Sequence, residues 1–243
     1  AIERNPAAPR LHLLRARLLA AEGNLDAALD DTRRALELNP YLAGASQLQV
    51  ALLSEPGELE EAIESLEALA AEGHLGPPGR VRLARMHTTL GNDDRAIELL
   101  EQALRERSDL YAGKNDLAFL LTRRGRDLDR AVALAQDARA ALPDSPEVAD
   151  TLGFAYLRNG SPEAALPQLE AAVELTEARG QPDPSFLYHR ALALEALGRG
   201  GEAASDLENS LAIEGDFPGF PREEARHKLQ VLRAAEAMET DSS

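Results

Sequence analysis

A glycine returns in one register along this chain: Gly23, Gly57, Gly91, Gly125, Gly160 and Gly198. Five residues after each, and six after Gly125, stands an alanine: Ala28, Ala62, Ala96, Ala131, Ala165 and Ala203, spaced 34, 34, 35, 34 and 38 residues apart. Only 17 of the 243 residues are glycine, so composition does not account for six in step. A period of this size means one small unit stacked on copies of itself. The eighth residue of each unit is Ala16, Val50, Ala84, Ala118, Gly153 or Ala191, small in all but one case. Near each end comes Ala35, Leu69, Ala103, Ala138, Ala172 or Ser210.

Residues 151–173, TLGFAYLRNGSPEAALPQLEAAV, show what the glycine does. An apolar run of helical period stops at Asn159-Gly160, because glycine takes the left-handed C′ conformation that costs other residues more. Ser161-Pro162-Glu163 then reads as an N-cap with proline in the first turn. Each unit is therefore two helices, with small residues letting them approach closely. Aromatic residues make up only 4% of the chain and Trp is absent, which suits close helix packing better than sheets. Three irregularities stand out. Pro167 falls inside a second helix, where it removes the bond to Glu163 and is expected to kink it. EARGQPDPS (177–185) lengthens one connection, and LGPPG (75–79) reads as a stiff turn between the second and third units.

In this register the chain resembles the tetratricopeptide repeat family, whose 34-residue unit has small residues at positions 8, 20 and 27 and often Pro at 32. Pro40 and Pro143 occupy that last position, and DTLGFAYL (150–157) carries the family's Leu-Gly and Tyr. The large aromatic usual at position 4 is replaced by His12, Ser46, Arg80, Lys114, Ala149 and Leu187. The resemblance implies an all-α, right-handed α–α superhelix of six repeats: 9–42, 43–76, 77–110, 111–145, 146–183 and 184–217. Ala1 and Pro6 lie 34 residues before Ala35 and Pro40, so residues 1–8 read as the end of a preceding repeat. Residues 218–243 read as a capping helix and tail, with Ala225, Leu229 and Leu232 on one face of an amphipathic segment at 221–237.

Chemistry is sparse. The formal charge is −16, from 42 acidic and 26 basic residues, and such a field repels nucleic acid and anionic membrane. No apolar segment reaches membrane-spanning length, which argues against direct insertion. The first twenty residues lack the apolar core and cleavage site of a secretory leader. Cysteine is absent, so there is no thiolate site. His12, His74, His87, His189 and His227 show no metal-ligand spacing and read as structural or exposed. GRGG (198–201) lies in an inter-helix turn without a preceding strand, unlike a phosphate loop. Asp30-Asp31 and Asp93-Asp94 read as solvated outer-face pairs. No nucleophile and base are grouped, so no catalytic residue, metal or cofactor is expected.

What remains is surface. In the family the first helices line a concave groove, with contacts from positions 2, 5, 9 and 12. Position 9 is Arg17, Ala51, Arg85, Phe119, Phe154 and Leu192, and position 5 is Leu13, Gln47, Val81, Asn115, Asp150 and Tyr188. The resemblance thus implies a graded groove, with Arg10, Arg17 and Arg85 toward one end and Asn115, Phe119, Asp150, Phe154 and Tyr188 toward the other. Its ligand would be an extended protein segment, anionic at one end and apolar at the other. The rival reading is that the aromatics pack against neighbouring helices and the arginines balance acidic neighbours. The Asn that marks chaperone-tail clamps at position 9 is missing. The expected function is a non-catalytic interaction scaffold; the alternatives are the interaction arm of a larger enzyme or a self-association module. Residues 115–157 are most similar to bacterial members, some tied to exopolysaccharide assembly and export. That favours a periplasmic or membrane-associated setting over a cytoplasmic one.

Overall fold

The structure is a computed structural model that describes residues 8–38, 45, 48, 52, 59–178, 182–214, 217 and 220–241. The chain divides into two compact units, residues 1–113 and 114–243. Described helices of the first are α1 (Pro9–Ala21), α2 (Leu25–Leu38), α3 (Leu59–Ala71), α4 (Pro77–Thr89) and α5 (Asp93–Glu106). Helix α6 (Tyr111–Arg124) begins in the first unit and continues into the second. There follow α7 (Leu128–Ala141), α8 (Pro146–Arg158), α9 (Pro162–Ala178), α10 (Pro184–Ala196), α11 (Gly200–Ala212) and α12 (Arg222–Asp241). No strand occurs among the described residues.

The register glycines end helices as expected. At Gly160 φ is +79°, a left-handed conformation, and two backbone bonds close the end of α8: Gly160 N–H to Leu157 O at 3.0 Å and Ser161 N–H to Tyr156 O at 2.9 Å. That pattern satisfies carbonyls which the helix leaves unpaired. Gly23, Gly91, Gly125 and Gly198 share the positive φ and the same pair of bonds. Gly73, outside the register, ends α3 in the same way. Gly57, Val50 and Pro40 lie outside the described residues.

Proline starts the first helix of most pairs: Pro9, Pro77, Pro146 and Pro184 open α1, α4, α8 and α10. Its missing N–H is lost there at no cost. Ser145 Oγ accepts from Val148 N–H at 3.3 Å, and Asp183 Oδ1 from Ser185 N–H at 2.8 Å, completing two of these caps. Residues 75–79 are thus only partly the turn expected from LGPPG, because Pro77, Pro78 and Gly79 already belong to α4. Helix α9 runs through Pro167 to Ala178 with that proline exposed, where its ring meets solvent rather than a neighbouring helix.

All six register alanines are fully buried, as are Ala16, Ala84, Ala118, Ala35, Ala103, Ala138, Ala172 and Ser210. Gly153 shows why small residues stand there. A Cβ on it would lie 2.5 Å from Leu169 Cγ and 3.2 Å from the Ala165 carbonyl oxygen of α9. The seams of three helix pairs are closed in one of two ways. Leu83 and Leu99 are buried sixteen residues apart in α4 and α5. At the equivalent positions stand Arg15 with Asp31 in α1 and α2, and Arg190 with Asp206 in α10 and α11, joined as ion pairs. Asp31 and Asp93 are therefore not solvated as the sequence suggested. Asp31 is buried against Arg15 and His12, and Asp93 is buried at the start of α5.

The last helix seats as expected. Ala225 of α12 joins Tyr188, Leu194, Leu207 and Phe220 in one apolar cluster, and Leu229 and Leu232 pack against it.

Candidate functional site

Two first helices of the first unit carry the arginines singled out above. Arg10 and Arg17 stand exposed on α1, seven residues and so two turns apart. Arg85 is exposed on α4. Arg82, one turn before it and unremarked in the sequence, is half-buried. Its guanidinium is pushed below its usual range, first by desolvation and then by repulsion from Arg85. The available signal was the i, i+3 spacing of two arginines on one helix.

Other charges of this unit are tied into structure. Asp31 accepts from Arg15 and from His12 Nδ1 at 3.0 Å, and its carboxyl is held low, chiefly by the Arg15 hydrogen bond. Glu67 of α3 accepts from Arg95 Nε at 2.8 Å, Arg95 Nη2 at 2.6 Å and His87 Nε2 at 2.9 Å, and is likewise held low, chiefly by Arg95. His12 and His87 are thus buried histidines with carboxylate partners.

In the second unit the first helices α6, α8 and α10 bring an aromatic row together. Phe119 and Phe154 lie 6.4 Å apart between ring centroids, tilted by 44°. Phe154 stacks on His189 at 4.3 Å and 9°. Tyr188 meets Phe220 edge-on at 6.1 Å. Arg123 lies over Phe119 and Arg158 over Phe154, at 5.4 and 5.8 Å from the centroids. Asp150, beneath this row, accepts from His189 Nδ1 with both oxygens at 2.9 Å. Desolvation raises its carboxyl above the usual range, and His189 opposes that rise.

The row is not the open apolar surface that the sequence suggested. Phe154 is 7% exposed, and Tyr188 and Asp150 are each 4% exposed. Burial pushes the Tyr188 phenol up, aided by its hydrogen bond to Glu224 of α12. Only Phe119 and Asn115 of this group remain partly exposed. The Asn115 Oδ1 is buried with no hydrogen-bond partner among the described residues. His189, read from sequence as an ordinary histidine, is the piece that joins Asp150 to Phe154. Nothing local in the sequence marks it, because both partners come from a helix about 40 residues away.

A cavity of about 260 Å³ lies beside α11, lined by Glu170, Arg190, Leu194, Arg199, Glu202, Ser205 and Asp206. Its guanidiniums are already matched: Arg190 donates to both oxygens of Asp206 at 2.7 Å, and Arg199 to those of Glu202 at 2.7 and 2.6 Å. Among the described residues no cluster of three or more His, Cys, Asp or Glu could hold a metal ion. No described helix is long and apolar enough to cross a membrane.

The tetratricopeptide repeat family model matches residues 1–43, 52–113 and 151–218. No curated protein matches the chain. Among solved structures, a chain of the APC/C hetero-tetramer Cut9–Hcn1 is 20% identical with a TM-score of 0.69, over 95% of this chain and 44% of that one. The chain thus spans less than half the length of that relative. YrrB, described as a TPR protein with an unusual peptide-binding site, is 21% identical with a TM-score of 0.57, over 82% of this chain and 96% of its own. MamA from Desulfovibrio magneticus RS-1 is 19% identical with a TM-score of 0.55, over 68% and 89% respectively. At such identities these likenesses concern the fold.

Proposed function

The chain belongs to the tetratricopeptide repeat family, and from that premise we propose that it is a non-catalytic scaffold binding an extended segment of a partner protein along its first helices. The observation that carries this reading is the exposure of Arg10, Arg17 and Arg85 on first helices of a chain with a net charge of −16. Exposed guanidiniums on such a chain attract carboxylates through charge-assisted bonds. In the second unit, Phe119 and Asn115 supply the accessible contacts. Asp150, Phe154, His189 and Tyr188 hold that wall rigid from beneath, and rigidity lowers the entropy lost on binding. The unusual peptide-binding site of YrrB supports the same mode of use.

The bacterial envelope and exopolysaccharide setting rests on the resemblance of residues 115–157. Growth and polysaccharide secretion by a strain deleted for the gene would test it. The groove is tested by partner capture from a lysate of the source organism with three proteins: native, Arg17→Glu with Arg85→Glu, and Phe119→Ser. Charge reversal should abolish recovery and its salt sensitivity, since exposed ionic contacts are screened within about 8 Å at physiological salt. Phe119→Ser should reduce recovery while leaving the salt response intact. Equal recovery by all three moves binding off this face.

A further inference from the structure

Helix α4 carries Arg80, Arg82 and Arg85 and no acidic residue. Arg82 and Arg85 stand three residues apart and so share a face of the helix. Arg80 lies on another side, buried, and donates through Nη1 to Glu106 of α5 at 2.8 Å.

What sets Arg82 apart is the absence of a counter-ion. Arg80, Arg95, Arg139, Arg190 and Arg222 are, like it, held at least partly from water, and each meets an acceptor: Glu106, Glu67, the Pro143 carbonyl, Asp206 and the Leu211 carbonyl respectively. Arg82 has no hydrogen-bond or ion-pair partner among the described residues. Residues 41–54, in the first half of the preceding unit, contain no Asp or Glu, so that stretch offers it no carboxylate either. A guanidinium taken partly out of water without an acceptor lowers stability. The charge that does act on Arg82 is repulsive, since Arg85 adds to desolvation in pushing it below its usual range. Such a residue is accounted for when its counter-ion arrives with a ligand.

The pair also indicates which anion. A carboxylate carries one charge and offsets one guanidinium. A phosphate monoester carries about −1.5 to −2 at neutral pH and presents three acceptor oxygens, enough for two guanidiniums one turn apart. Arginine rather than lysine at both positions suits that planar, several-point contact. Partial desolvation of Arg82 strengthens the attraction, because the surroundings screen it less than water does.

We propose that Arg82 and Arg85 form a subsite for a phosphorylated serine or threonine of the partner segment. This deepens the groove reading and rests on it for the partner, while the subsite itself belongs to α4 alone.

The test uses the full chain, labelled with nitrogen-15, and three capped tripeptides: alanine-phosphoserine-alanine and its counterparts with glutamate or serine at the centre. The Nε–Hε resonance of Arg82 should move saturably with the phosphopeptide, and at least tenfold more peptide should be needed with glutamate. Arg82→Gln should lose the phosphopeptide response at Arg85 at least tenfold. Its thermal midpoint should not fall below that of the native protein, because the change removes a half-buried charge without a counter-ion. Arg17→Gln, on another helix, should leave the response intact. Equal binding of the phosphoserine and glutamate peptides, or unchanged binding by Arg82→Gln, overturns the proposal. So does a lowered midpoint of Arg82→Gln, which would show that the guanidinium already serves the fold. Partner capture separates this subsite from the groove. Recovery that survives phosphatase treatment of the lysate, yet is lost by Arg17→Glu with Arg85→Glu, overturns the phosphate subsite and leaves the groove standing. Saturable phosphopeptide binding with no partner recovered by the native chain supports the subsite and removes the groove reading instead.

Discussion

Two carboxylates of the first unit, Asp31 and Glu67, and one of the second, Asp150, have opposite electrostatics. Asp31 and Glu67 each accept from one arginine and one histidine, and both are held below the usual carboxylate range. Asp150 accepts from His189 alone among the described residues and is raised above it. Burial works against ionisation in all three. What differs is the guanidinium, which stays charged at any pH of interest and supplies two donors in a planar fork. Where it is present the carboxylate wins against desolvation, and where only an imidazole is present desolvation wins.

Removing the single partner should have the largest effect. His189→Ala leaves Asp150 buried without its hydrogen bond and removes the stack on Phe154. A loss of about 3 kcal/mol is expected in denaturant unfolding at pH 7. The loss should shrink as the pH falls through the raised folded value of Asp150, where the carboxyl takes up a proton. A pH-independent loss would mean that the stack, rather than the charge, is what His189 contributes.

Gly153→Ala probes the helix that carries Asp150. The added methyl meets Leu169 and the Ala165 carbonyl, and better helix propensity offsets only part of the strain. We expect a net loss of about 1 to 2 kcal/mol in thermal or denaturant unfolding. Stabilisation instead would show that α8 and α9 can separate at little cost, so that Asp150 is less firmly enclosed.

In the first unit Arg95→Ala should cost less than the loss of His189, about 1 kcal/mol, because Arg95 and Glu67 are partly exposed and His87 still donates. The double-mutant cycle of Arg95→Ala with Glu67→Gln measures that coupling.

The smallest effect is a pair of opposed pH slopes. Asp31, with a lowered folded-state pKa, contributes stability that is present above about pH 4 and lost as pH falls through its folded value. Asp150, with a raised one, binds its proton more tightly in the folded state, so its contribution declines as pH rises from about 4 through its folded value. Thermal midpoints of native, Asp31→Asn and Asp150→Asn proteins from pH 3 to 7 should show this. The native protein should lose its margin over the first variant on acidification, and its margin over the second on neutralisation. Slopes of the same sign would erase the distinction between the two units.

The helix stops at Gly23, Gly91, Gly125, Gly160 and Gly198 and the alanine seams were legible because each follows from one residue's own sterics. A left-handed φ favours glycine wherever it occurs, and a close helix contact excludes any side chain larger than alanine. The exposure of Arg10, Arg17 and Arg85 was legible for a related reason, since a guanidinium is costly to take out of water. The burial of Phe154 and Tyr188 was not. Whether an aromatic at position 5 or 9 is open or covered depends on what the next pair lays over it, here His189, Phe220 and Glu224. Asp31 was misread in the same way, because its partners His12 and Arg15 sit on a different helix. The repeat, its family and its acidic surface were thus determined by the sequence, through conformational preferences that act within a few residues. Which carboxylates are buried, and which aromatics are wall rather than contact, was decided by tertiary packing. Desolvation depends on every neighbour within several ångströms, and most of those neighbours lie sixteen to forty residues away along the chain.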